Sequence, residues 1–157
     1  MSKRKWLIVV AFILVVVAIG LGVGLGVGLT TGKSTDGPIW YQANILDHVG
    51  AENPCSTLVK SCEELNNLPC NVGNKYDKAF FRKNAIIIYT YSAMSDCYEF
   101  SVKNVYIENG ILNVDIISRF VGGLLQSDWG WQIIIEIKKS DIRGITEIKE
   151  NLITEDD

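Results

Sequence analysis

Histidine is almost missing from this chain: His48 is the only one in 157 residues. A Ser–His–Asp relay needs that histidine oriented by an acid and set beside a nucleophile. Asp47 is its neighbour in sequence, and adjacent side chains diverge. No G-x-S-x-G frame presents a serine. C-x-x-C is absent too, which removes the usual motif of disulfide exchange. No glycine-rich loop follows a strand-like run at P-loop or dinucleotide spacing. The paired carboxylates Glu63-Glu64 fit best at a helix N-terminus, where the backbone dipole favours negative charge. The residues therefore point to no catalytic group and no cofactor, and the alternative is a hydrolase whose site follows no recognised frame.

Excess positive charge is also lacking. The chain has 15 basic and 18 acidic residues, a formal −3. Without Lys3, Arg4 and Lys5 the rest carries 12 basic against 18 acidic residues, a formal −6. Such a net charge is repelled by phosphate, so nucleic acid and anionic lipid surfaces are poor partners on this ground.

Charge is wholly absent from Trp6 to Leu29, a run of 24 residues. A signal peptide has an apolar core of about 7–15 residues. As a helix rising about 1.5 Å per residue, this run would reach roughly 36 Å, enough to cross a hydrocarbon core of about 30 Å. Lys3, Arg4 and Lys5 precede it and only Lys33 lies close behind, so the positive-inside bias places residues 1–5 in the cytoplasm and Pro38 onward outside. The expectation is a single-pass signal anchor over residues 6–29. Gly26-Val27-Gly28 also offers a small-x-small cleavage site, which leaves removal on export as the alternative. Gly20, Gly24 and Gly28 share one helix face, a spacing that would also suit weak self-association.

Residues 30–37 are rich in Gly, Ser and Thr and read as a tether. Residues 38–157 are the size of one domain with one core. All four cysteines, Cys55, Cys62, Cys70 and Cys97, fall in this outer part. An oxidising compartment makes two disulfides the natural reading, with three connectivities open. Intervals of six, seven and 26 residues do not match the short C-x₂₋₄-C pairs of a zinc site, so no metal is expected. Three cysteines crowd into residues 55–70, which suggests a segment tied to itself and to the Cys97 loop.

Local patterns outline an α+β fold in which short helices pack on an antiparallel sheet. Ser61 followed by Glu64 is a capping box for a short helix ending near Leu68, where Pro69 stops it. Residues 75–84 read as a second short helix with Phe80 and Phe81 turned inward. Residues 85–91, AIIIYTY, are apolar on both faces, as a covered central strand should be. Asn109-Gly110 lies between two β-rich runs and predicts a type I′ hairpin with Glu108 opposite Ile111 and Ile107 opposite Leu112. Val105 and Ile107 then share a face with Leu112, Val114 and Ile116, yet Tyr98, Phe100 and Val102 alternate in the opposite phase. A bulge near Lys103 or Asn104 would reconcile them. Trp129, Trp131, Ile133, Ile135 and Ile137 give one strongly apolar face to a further strand.

From Ser61 to Asp141 the chain resembles exported bacterial proteins related to the protease-complexing domain named for the PrcB C-terminus. The resemblance is carried by Ser61-Cys62-Glu63-Glu64-Leu65, by Tyr76-Asp77 leading to Phe80-Phe81 and Asn84, by Ile86-Ile87-Ile88, by Val102 and Val105, by Gly110, Leu112 and Val114, and by Trp131 leading to Ile134-Ile135-Glu136-Ile137. It implies a binding or accessory role beside a protease or another exported protein, with no catalytic residue to transfer. The cysteines are extra to that pattern, the loop from Val121 to Asp128 has no proline, and a long anchor stands where those proteins carry a lipoprotein signal. One place suggests where a partner would bind. The connection Phe120–Gly130 holds Leu124, Leu125 and Trp129, more apolar surface than a solvated loop needs. The other reading is that Gly122-Gly123 makes a turn and the leucines complete the core.

Overall fold

The computed structural model describes residues 35–47, 55–70, 72, 75–95, 97–122 and 126–155. The anchor expected over Trp6–Leu29 and His48 lie outside them. Among the described residues no helix is long and apolar enough to cross a membrane. Residues 34–157 cluster as one unit.

Eight strands form two four-stranded sheets that face each other. They are β1 (Gly37–Pro38), β2 (Tyr41–Asp47), β3 (Ser56–Val59), β4 (Asn84–Ser95), β5 (Tyr98–Glu108), β6 (Ile111–Phe120), β7 (Gln126–Lys138) and β8 (Ile148–Glu155). Sheet A runs β1-β5-β6-β8 and sheet B runs β2-β7-β4-β3. All pairs are antiparallel except β6 with β8. The expected antiparallel β-structure is present, but as two sheets rather than one. The helical share is smaller than expected. One five-residue helix, α1 (Cys62–Asn66), and one 3₁₀ turn, Phe80–Arg82, are the helical elements described.

The hairpin forms as its sequence requires. Asn109 and Gly110 have φ of 53° and 78°, the two left-handed positions of a type I′ turn, and Glu108 opposes Ile111. The register slips between Val102 and Asn104, which leaves Lys103 as the extra residue. The slip brings Val102 opposite Ile116, so both halves of β5 turn their apolar side inward. The Tyr41 hydroxyl lies 3.1 Å from the Lys103 carbonyl and 3.3 Å from that of Val102, and so serves the bulge backbone. Tyr41 also begins β2 just after β1 has left sheet A, so one continuous stretch crosses from one sheet to the other.

Between the sheets lies the main core: Ala85, Ile87 and Tyr89 of β4, Ile133, Ile135 and Ile137 of β7, Val105 and Ile107 of β5, and Leu112, Val114 and Ile116 of β6. The other side of sheet B is buried as well. Ile86, Ile88 and Ile134 sit beneath Cys55, Val59, Leu65, Val72, Tyr76 and Phe81. This second layer explains why residues 85–89 are apolar on both faces and buried throughout. Its outer face is pinned by Tyr76, whose hydroxyl donates to the Glu136 carboxylate at 3.1 Å, and by Lys75, 2.7 Å from the same oxygen. Among the described residues sheet A has no such cover. Its outer side carries a polar row across three strands, with Asn104 and Asn151 both donating to Asp115.

The cap of α1 departs slightly from a standard capping box. The Ser61 hydroxyl accepts from Glu64 N at 3.1 Å, but the Glu64 carboxylate reaches Lys60 N at 2.5 Å, one residue before the cap. The helix stops at Asn66 rather than near Leu68. The second expected helix shrinks to the Phe80–Arg82 turn, which Asp77 starts by accepting from Phe80 N at 2.7 Å. Phe81 is buried and Phe80 half-buried, so the inward direction of the pair holds although the helix does not.

Candidate functional site

Chain direction gives the sandwich two distinct ends. Asp36, near the start of the described residues, accepts from Asn109 N at the hairpin tip, and β4 and β8 begin at that end. The far end holds the close of β2, the β4–β5 link at Cys97 and the close of β6 at Phe120. Ile45 pairs with Ile133 and Leu152 with Ile116, so both belong to inward faces, yet they are 37% and 50% exposed. Phe120 and Val121 are exposed too, as is Leu46 on the neighbouring face of β2. Of the six large apolar side chains strongly exposed among the described residues, only Trp40 lies at the hairpin end.

Behind this rim is an aromatic stack. Phe100 lies parallel to Tyr91 at 4.7 Å between centroids and tilted on Trp131 at 5.2 Å, and Tyr98 meets Phe120 edge to face at 5.6 Å. The stack bridges β4 and β7 of sheet B to β5 of sheet A. Tyr91 adds a polar tie, donating its hydroxyl to the Glu150 carboxylate on β8. Burial holds Tyr91 protonated far above the ordinary tyrosine range, and the Glu150 hydrogen bond adds to the shift. Burial raises Tyr89 likewise, with Glu150 as the smaller cause. The Tyr89 hydroxyl is buried and has no partner. Tyr91 is therefore a donor at any ordinary pH, which suits joining two sheets and does not suit accepting a proton from a substrate.

The sequence-predicted residues divide between the two cores and the undescribed parts. Cys55 and Cys70 come together, Sγ to Sγ 3.0 Å, under the second layer of sheet B. Burial, followed by the neighbouring Cys70, pushes the Cys55 thiol up to about 12. A thiol so far from ionising makes a poor attacking group. Cys62 lies on α1 in the same layer, its sulfur 3.8 Å from the Tyr76 carbonyl oxygen, while Cys97 is buried at the far end where its carbonyl accepts from Val121 N. Leu124 and Leu125 lie outside the described residues, as does the side chain of Trp129 in β7. Gly122, which precedes them, has φ of 78°, a left-handed value that glycine adopts readily. Among the described residues no three His, Cys, Asp or Glu side chains gather as a metal site.

Sequence reasoning missed Glu150 and the exposed rim. Glu150 sits in IKENLITE, a segment with charge on alternate sides and no turn signal nearby. Its inward position follows only from the parallel pairing that sets it beside Val114. The chain matches no protein-family model, no curated protein and no solved structure.

Proposed function

We propose that this chain is a membrane-held binding module whose far end receives a protein partner. Trp6–Leu29 anchors it with residues 1–5 inside and the sandwich outside, and residues 30–36 tether it. The observation that supports the reading is that Phe120 and Val121 lie exposed side by side at the end away from the tether, while Ile45 and Leu46 on edge strand β2 and Leu152 on edge strand β8 are exposed nearer the middle of the sandwich. Large apolar side chains left exposed side by side, as Phe120 and Val121 are, suit burial against a partner. Leu124, Leu125 and Trp129 follow Phe120 and Val121 in the sequence. The aromatic stack and the Tyr91–Glu150 tie fix its floor, so a partner would meet a preformed surface. The partner class implied by the family resemblance is another exported protein, a protease among the candidates. A disulfide between Cys55 and Cys70 completes the proposal for an oxidising compartment.

The test is site-specific photocross-linking in the native membrane. A cross-linker at Phe120 or Leu152 should give one discrete adduct, and one at Ser101 on the exposed outer side of sheet A should give none. A Phe120→Glu, Leu152→Glu pair should abolish a Val121 adduct without changing the chain's amount in the membrane. Adducts of equal strength from both faces would end the proposal.

A further inference from the structure

At the hairpin end of sheet B, where β4 begins and β7 ends, a cavity of about 590 Å³ gathers five cations: Arg82, Lys83, Lys138, Lys139 and Arg143. Its other lining residues among those described are Asn84 and Ser140, so no described carboxylate faces into it. The clustering comes from strand pairing. Asn84 opposes Lys138, and Lys139 N donates to the Lys83 carbonyl at 2.9 Å. The acids nearest in sequence are engaged elsewhere. Asp141 accepts from the Ser140 hydroxyl, Glu136 takes Lys75 and Tyr76, and Asp77 caps Phe80 N. The ion pairs found among the described residues, Lys75–Glu136 and Arg119–Glu99, involve none of the five.

Five like charges around one hollow repel each other, and in an acidic chain carboxylates to neutralise them were not in short supply. The arrangement suits an anion that comes from outside. Two of the cations are already placed: the Lys139 ammonium donates to the Phe81 carbonyl, and the Lys138 ammonium lies 5.3 Å over the Trp40 ring. Arg82, Lys83 and Arg143 are exposed and can close on a ligand, and the two arginines offer the planar fork that matches phosphate. The net charge of the chain, which argued against phosphate, does not describe this end of it.

We propose that the cavity binds phosphate, presented as the headgroup of an anionic phospholipid in the membrane that carries the chain. The source, though not the anion chemistry, rests on the anchored reading above. Residues 30–35 can extend no more than about 20 Å, so the end at which Asp36 joins the hairpin stays close to the bilayer surface. Trp40, 51% exposed beside Lys138, supplies the aromatic side chain favoured at headgroup depth. A basic cluster at such a surface is drawn to anionic lipid.

The test is amine acetylation of the full chain in nanodiscs, mapped by mass spectrometry. In discs of phosphatidylcholine with phosphatidylglycerol, Lys83 and Lys138 should be protected at least about fivefold relative to discs of phosphatidylcholine alone. Lys103, exposed at the β5 bulge away from the cavity, should label equally in both. High salt, or Arg82→Glu with Arg143→Glu, should remove the protection while the circular dichroism is retained. Equal labelling of Lys83 and Lys138 in the two discs would overturn the proposal. Protection by free glycerol phosphate without protection by phosphatidylglycerol would also overturn it, and would assign a soluble ligand. A chain that fails to enter the discs refutes the anchor instead. The same comparison is then made on vesicles of the two compositions, where equal labelling refutes the anion site independently.

Discussion

Tyr91 ties one sheet to the other, and the Cys55–Cys70 pair ties two ends of one segment within a single layer. Tyr91 is raised by burial and by Glu150, so its neutral form is favoured in the folded state. The unfolded chain gives up that proton from about pH 10 upward while the folded chain keeps it. Stability contributed by Tyr91 is therefore complete below about pH 10 and declines as pH rises further. Denaturant midpoints should be level between pH 7 and 9 and fall above about pH 10. Tyr91→Phe should reduce that alkaline fall and cost about 1–3 kcal/mol at neutral pH, because Glu150 loses a donor. An unchanged alkaline slope in the variant would mean that the tie to Glu150 does not exist. For the cysteines, peptide mapping without reduction should recover Cys55 linked to Cys70, and recovery of both as alkylated thiols from the mature protein would refute the bond. Reduction should lower the melting temperature but leave the far-end surface intact, since the pair lies beneath the second layer of sheet B.

The hairpin β5–β6 carries the fold at the scale of an element. Gly110 has φ of 78° and nothing within 4 Å of where a Cβ would stand, so the cost of a side chain there is backbone strain alone. Gly110→Val should destabilise by about 1–2 kcal/mol or more, read as a drop of several degrees in melting temperature. Glu108→Gln, exposed and outside the turn positions, should change little. This hairpin, its bulge at Lys103, and strands β4 and β7 were legible because each announces itself locally: a turn dipeptide, a phase change in alternation, or an unbroken apolar run. β2 was not. YQANILD alternates weakly, and it becomes a strand only by pairing with β7, some ninety residues later in the chain. β8 escaped for the same reason, since its parallel partner β6 is reached only by way of β7 in the other sheet. The candidate surfaces inherit this blindness. The far-end rim draws on β2, β6 and β8, and the basic cavity on three short stretches whose charges vanish in the net count. What sequence did offer, the apolar residues after Phe120, points to the same end of the molecule.

At the scale of the whole molecule, sheet B serves two apolar layers at once. Ile135 faces sheet A and Ile134, its neighbour, faces the segment that runs from Cys55 to Phe81. Strand β7 cannot keep one face without the other, because a pleated strand that leaves its register exposes both. The layers should therefore melt together. In residues 34–157 both Ile135→Ala and Ile134→Ala remove a fully buried side chain and should cost about 2–5 kcal/mol each. In a Trp40→Phe, Trp129→Phe background, thermal unfolding followed by tryptophan fluorescence, which then reports Trp131 between the sheets, and by alkylation of Cys62, which reports the outer layer, should give coincident transitions in the parent and in both variants. Ile134→Ala should move the tryptophan signal as far as the cysteine signal. If it shifted the cysteine signal alone, the outer layer would be a separately folding cap. The rigidity of the far-end surface would then rest on the aromatic stack and sheet A, without support from the cysteine-rich segment.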